Sequence, residues 1–112
     1  MIYVYGIPNC GSVKKARALL DEQNADYSFI DFKKTPPTHE EIASWIKAVG
    51  RDTLINKKGT KWRSLSDAEK QQADTDPISL IATHPTLIKR PLVVWENGTI
   101  TVGFDEKLFQ AA

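Results

Sequence analysis

The hydrophobic period changes twice within the first 32 residues, and that change restricts the fold more than any other feature of the chain. Ile2-Tyr3-Val4-Tyr5 reads as a short strand, and Gly6-Ile7-Pro8-Asn9-Cys10-Gly11-Ser12 as a turn. Val13, Ala16, Leu19 and Leu20 then recur at helical spacing. After them Ala25 to Phe32 returns to an alternating, aromatic-rich strand with Tyr27, Phe29, Ile30 and Phe32. Two strands joined through a helix cannot form a tight hairpin. They are expected to pair in parallel through a right-handed crossover, with the helix covering one face of the sheet.

Thr35-Pro36-Pro37-Thr38 ends the alternation. Thr38 with Glu41 makes a capping box for a helix with Ile42, Trp45, Ile46 and Val49 on one face, stopped at Gly50. From Arg51 to Thr83 the signals are short and helical. Ser66 with Glu69 forms a second capping box, and Asp76-Pro77 an N-cap followed by proline at the first helical position. The basic stretch Asn56 to Arg63, with Trp62 as its aromatic residue, reads as a solvated loop.

Leu92-Val93-Val94-Trp95 is a continuous apolar strand, Glu96-Asn97-Gly98 carries a type I′ hairpin signal, and Thr99 to Val102 pairs back. Asp105 caps a last short helix bearing Leu108 and Phe109. A parallel βαβ half joined to an antiparallel ββα half specifies an α/β fold of thioredoxin-like type, a four-stranded mixed sheet flanked by helices. The expected organisation is one domain over residues 1–112 with an all-helical insertion at about 51–83. Arg90-Pro91 falls just before a central strand, where proline is tolerated, and a cis bond is expected there.

Cys10 is the only cysteine. Its neighbours Pro8, Asn9, Gly11 and Ser12 form turns and caps rather than cores, so an accessible thiol is expected in place of the buried, inert one that a lone cysteine usually is. The unpaired N–H groups and the dipole of a helix N-terminus favour thiolate over thiol. Lys14, Lys15 and Arg17 add positive potential unless they simply face water. One cysteine excludes an internal disulfide and a cysteine-rich zinc site. His39 and His84 are too few and too far apart to suggest a ligand set, so no metal is expected.

With 41% hydrophobic and 26% charged residues the composition is that of an ordinary globular protein, and a formal charge of +1 offers no bulk attraction for nucleic acid or a membrane surface. No apolar run approaches the roughly 18 residues of a membrane span, and the N-terminus lacks a signal-peptide pattern, so a cytoplasmic location is expected. Chemistry at a single site is left to carry the function.

Four separated segments, Tyr5 to Ala16, Leu54 to Arg63, His84 to Pro91 and Val102 to Asp105, together resemble the arsenate reductase (ArsC) family. The resemblance is stronger to its YffB-type branch, whose relatives include the Spx-like regulators, and it runs in order over nearly the whole chain. It implies that Cys10 is the nucleophile and that Arg90, of the Arg-Pro pair, belongs to the site. Family arsenate reductases use three arginines around the oxyanion, and the other two positions here hold Asn56 and Gly103, with Arg63 and Lys57 as candidate replacements. A doubly charged oxyanion needs several charge-assisted donors to compete with water, so arsenate is not the expected substrate. Spx-like regulators usually carry a Cys-x-x-Cys switch at this turn. Val13 occupies its second position, which rules out an intramolecular redox switch of that type.

The function implied is a glutathione-dependent thiol reductase. Cys10 attacks a disulfide or other electrophilic sulfur, and glutathione, as reducing co-substrate, resolves the mixed disulfide. The candidate substrate-binding residues are Asn9, Gly11, Ser12, Lys14, Arg90 and Pro91. The N–H groups of Gly11 and Ser12 would stabilise the thiolate. Arg90 would hold a glutathione carboxylate, and its backbone, preceding the proline, would pair with a bound peptide thiol. Lys14 and Lys89 are weaker candidates, since lysines beside such sites are usually solvated. The expected partners are glutathione and an oxidised substrate, with no nucleic acid and no membrane. The alternative is a non-catalytic, Spx-like protein that binds RNA polymerase or another protein.

Overall fold

The computed structural model describes all 112 residues. In chain order the elements are β1 (Ile2–Gly6), α1 (Gly11–Glu22), β2 (Tyr27–Asp31), α2 (His39–Val49), α3 (Arg51–Leu54), α4 (Thr60–Ser64), α5 (Asp67–Thr75), α6 (Pro77–Thr83), a 3-10 turn (Pro85–Leu87), β3 (Leu92–Val94), β4 (Ile100–Val102) and α7 (Glu106–Gln110). They group into two compact units, Met1–Thr35 with Arg90–Ala112, and Pro36–Lys89.

The first unit holds a four-stranded mixed sheet in the order β2-β1-β3-β4, the α/β architecture read from the pattern of strands and helices. β1 and β2 are parallel, as the helical crossover requires, whereas β3 is antiparallel to both β1 and β4. On β1, Ile2, Val4 and Gly6 are buried while Tyr3 is exposed, the period-2 alternation of a strand. Val13, Ala16 and Leu20 line one face of α1 and are fully buried, Ala16 and Leu20 packing with Ile2, Val4, Val93 and Phe109 into a core. Asp105 caps α7 by accepting from the Lys107 and Leu108 N–H groups. The helix is anchored by Phe109, which stacks on Phe104 at 5.5 Å and tilts against Trp95 at 5.2 Å. Gln23 bridges the two helices, its Nε2 donating to the Leu19 and Phe109 carbonyls.

Two local expectations, on β2 and on the β3–β4 turn, are corrected. β2 does not alternate: all five of its residues are half-buried, because it is an edge strand. The last helix bears Leu108 and Phe109 as expected; Phe109 turns inward and Leu108 is exposed, since successive helix residues stand about 100° apart. The β3–β4 turn is not type I′, which needs positive φ at both central residues; only Gly98 has one, at +86°. Trp95 O accepts from Gly98 N at 2.8 Å and Trp95 N donates to Thr99 O at 2.8 Å, a three-residue connection with glycine in the left-handed position.

The second unit is helical. Both capping boxes form: Thr38 with Glu41 opens α2, and Ser66 with Glu69 opens α5. Asp76 accepts from Ser79 N and is followed by Pro77 at the start of α6. Ile42 and Trp45 are buried on the inner face of α2, and Gly50, at φ +88°, ends it. The basic stretch is only partly a loop. Asn56 to Gly59 turn, but Thr60–Ser64 winds into α4, with Lys57 Nζ 5.3 Å from the centre of the Trp62 ring. Asn56 N donates to Leu87 O and Lys89 N to Leu54 O, flanking an isolated bridge between Ile55 and Ile88.

Glu69 also meets His84, with Oε2 and Nε2 2.9 Å apart. The Ser66 backbone N–H, then the His84 and Ser66 side chains, hold its carboxyl below the usual glutamate range. Asp76 is likewise lowered, first by the Ser79 hydroxyl and then by the Ser79 N–H. No helix is long and apolar enough to cross a membrane.

Candidate functional site

The strand register gathers four turns at one end of the sheet. Tyr5 pairs with Leu92, Leu92 with Val102, and Gly6 with Asp31. The C-terminal ends of β1, β2 and β4 and the start of β3 therefore lie side by side. Ile7 to Cys10, Phe32 to Thr35, Arg90-Pro91 and Gly103 to Asp105 all leave or join the sheet there. Cys10 and Arg90, remote in sequence, are brought to the same end by adjacent strands.

A close approach sets how β1 turns into α1. A Cβ on Gly6 would stand 2.8 Å from Val13 Cγ2, so only glycine lets the first turn of α1 settle this tightly against the strand. Val13 is fully buried by that contact, and the intervening Pro8 and Asn9 are pushed out into solvent. Cys10 then becomes the N-cap of α1, half-buried, with φ −117° and ψ 128°. Its carbonyl accepts the first helical bond from Lys14 N at 2.9 Å.

The caps differ in kind. At α2, α5, α6 and α7 a side-chain oxygen of Thr38, Ser66, Asp76 or Asp105 accepts from the exposed N–H groups. At α1 the cap residue is a thiol that makes no such bond, and the first turn carries no carboxylate. The N–H groups of Gly11, Ser12 and Val13 precede the first intrahelical donor and lack intrahelical acceptors. Negative charge on the sulfur, or on a group joined to it, is what this end of the helix can bind.

Around it, Asn9, Gly11 and Lys14 are exposed and Ser12 is half-buried. Arg90 is half-buried, Pro91 is buried, and the bond between them is cis, as expected from the sequence. Pro91 O accepts from Gly103 N at 2.9 Å, and Gly103 has φ +86°. Asn56 lies in the other unit, where its Oδ1 accepts from Lys58 N and its N–H is bonded to Leu87. Arg63 Nη2 donates to Lys58 O at 2.6 Å, and Lys57 Nζ is 3.9 Å from Asp52, so both cations named as arginine replacements are engaged within that unit.

Arg17 does not simply face water. Its guanidinium lies 4.1 Å from the centre of the Phe29 ring, and Nε donates to Tyr27 Oη at 3.4 Å. With Pro8, Ile30, Asp31, Lys34 and Thr35, Arg17 and Phe29 line a cavity of about 420 Å³ beside the Cys10 turn. The sequence held a signal for this placement: Arg17 is four residues after Val13 and three before Leu20, on the face that packs against the sheet. A larger cavity, about 500 Å³, lies at the opposite end, where Ile2, Ala25, Trp95 and Thr99 meet Leu108; no thiol, imidazole or cationic side chain lines it.

Comparison with known proteins places the chain among relatives of the same fold. The model of the ArsC family matches residues 5–112. An uncharacterised protein of Haemophilus influenzae is 39% identical, covering 100% of this chain and 98% of that one. The arsenate reductase of Escherichia coli strain K12 is 30% identical over 88% of this chain and 71% of its own length. A global transcriptional regulator Spx of Streptococcus pyogenes is 26% identical over 99% of this chain and 84% of its own. The solved structure of a YffB protein superposes with a TM-score of 0.91 at 34% identity, covering 100% of this chain and 98% of that one.

Proposed function

The chain belongs to the ArsC family, among relatives that include arsenate reductases and Spx regulators, and from that membership we propose that it is a cytoplasmic, glutathione-dependent thiol reductase. Cys10 at the α1 cap supports this reading most directly, because it alone offers a nucleophilic sulfur to helix N–H groups that no oxygen already occupies.

For a glutathionylated substrate, the Cys10 thiolate attacks the glutathione sulfur. The new bond is the Cys10–glutathione disulfide, the old disulfide breaks, and the substrate leaves as a thiolate that takes a proton from water. A second glutathione thiolate then attacks the mixed disulfide, releasing glutathione disulfide and restoring Cys10. One disulfide is consumed and one is formed: the released glutathione disulfide joins the glutathione carried by the substrate to one free glutathione, whose thiol is the reductant. The Gly11 and Ser12 N–H groups stabilise the thiolate whenever Cys10 carries the charge. Arg90 holds a glutathione carboxylate, Pro91 and Asn9 border the reacting sulfur, and Lys14 adds positive charge from the exposed side of the helix.

Arsenate is a poor fit to the same site. Gly103 occupies a left-handed conformation that an arginine adopts only with strain, and Asn56 is held in a turn by bonds to Lys58 and Leu87. One arginine leaves most of the oxyanion's charge to water.

Incubation with glutathione disulfide followed by intact-mass spectrometry tests the proposal. We expect a single adduct on Cys10, removed by excess glutathione and absent from Cys10→Ser. The wild type should also turn over a glutathionylated peptide, with no detectable reduction of arsenate. An unmodified wild-type protein would overturn the reductase reading and direct attention to protein binding that survives Cys10→Ser.

A further inference from the structure

We propose that the cavity between Arg17 and Lys34 is the subsite for the γ-glutamyl head group of glutathione. This inference rests on the reductase reading and names the part of the molecule that binds the co-substrate's zwitterionic end.

Position is the first argument. Pro8 lines the cavity and stands two residues from Cys10, which limits the separation of their Cα atoms to about 7–8 Å. The head-group carbon of glutathione is about seven bonds from its sulfur, on the order of 8 Å when extended. A glutathione sulfur at Cys10 therefore has its head group within reach of the cavity.

Charge is the second. The cavity presents two cations, Arg17 and Lys34, and one carboxylate, Asp31. No carboxylate lies within ion-pair distance of either cation. Asp31 Oδ1 accepts from Lys33 N at 2.9 Å, leaving the rest of the carboxylate open. A γ-glutamyl head group carries one carboxylate and one ammonium, which pair with the cations and with Asp31 respectively. The surplus positive charge of the cavity matches the net negative charge of glutathione.

Preorganisation is the third. Arg17 is clamped by the Phe29 ring and by Tyr27 Oη, which fixes the guanidinium plane and leaves its two terminal nitrogens as donors. A guanidinium already held in place loses little freedom when it grips a carboxylate. Lys34, by contrast, is exposed on the turn after β2, where its backbone N–H donates to Asp31 O at 3.1 Å, so its side chain is free to close over a bound head group.

The test compares rates of adduct formation at Cys10 with three disulfides: those of glutathione, of cysteinylglycine, which lacks only the γ-glutamyl group, and of 2-hydroxyethanethiol, which is neutral. In the wild type we expect glutathione disulfide to react fastest. Lys34→Gln should slow that reaction by about three- to tenfold, and Arg17→Met by about tenfold, with the other two rates unchanged. Lys34 is exposed, so its variant remains informative even if Arg17→Met fails to fold. Equal slowing of all three reagents, or a wild type that does not distinguish glutathione from cysteinylglycine, would overturn the subsite while leaving Cys10 chemistry intact. No reaction with any reagent would overturn both the subsite and the reductase reading.

Discussion

At the residue scale the position of the thiol depends on the absence of one atom. Gly6→Ala adds a Cβ that must displace Val13, a fully buried, β-branched side chain. Overpacking of this kind costs about 1–3 kcal/mol. We expect Gly6→Ala to lower the urea midpoint accordingly and to change the alkylation rate of Cys10, because the first turn of α1 shifts with Val13. Adding Val13→Ala to Gly6→Ala should recover part of the alkylation rate. A Gly6→Ala protein that matches the wild type in both measurements would show that the close approach is not needed. Arg90 entered only through the resemblance carried by the Arg-Pro pair, while the place of Cys10 at the turn into α1 was legible from its neighbours. The roles of Gly6 and Gly103 were not, because a contact at 2.8 Å and a φ of +86° arise only once distant segments are in place.

At the scale of elements the helix starts carry the clearest local information. A capping box spans four residues, so Thr38 with Glu41 and Ser66 with Glu69 could be read directly, as could the Asp76 and Asp105 caps. The Glu69 box also has a consequence in acid. Its carboxyl titrates below its ordinary range in the folded protein, so between the folded and ordinary values the unfolded chain binds a proton that the folded chain does not. The contribution is complete above the ordinary glutamate range and is lost as the pH falls through the lowered value. Glu69→Gln should therefore flatten the dependence of stability on pH below about 4.5, seen as converging urea midpoints for variant and wild type in acid. Midpoints that differ by the same amount from pH 7 down to pH 3 would contradict this. Elements set by less local terms were harder to read. The turn at Gly98 contains the residues of a type I′ hairpin, yet the loop length and strand twist select a different form, and α4 is too short to leave a periodic signal.

At the scale of the whole molecule, the mixed four-stranded sheet was legible from a parallel βαβ half joined to an antiparallel ββα half, whereas the order β2-β1-β3-β4, which places β3 beside β1, is set by pairing between distant segments. The pattern did not reveal the cavity at Arg17, which requires β2 to lie on the edge beside α1. The core of the sheet unit closes on Phe109, fully buried near the C-terminus and in contact with both Phe104 and Trp95. Phe109→Ala should cost about 3–5 kcal/mol in equilibrium unfolding, the range for deleting a buried aromatic side chain. A loss under 1 kcal/mol would mean that α7 is not part of that core.

The chain leaves the sheet unit after Thr35 and does not return until Arg90, and β3, which separates β1 from β4, lies beyond that return. Synthesis runs in one direction, so Cys10 emerges from the ribosome well before Arg90 and the strand β3 that completes its surroundings. A β1–β2 pair on its own is at best marginally stable. Until β3 has followed, therefore, the thiol is attached to an unfinished sheet. The meeting of the Cys10 turn with Arg90 at one end of the sheet exists only once β3 has paired with β1.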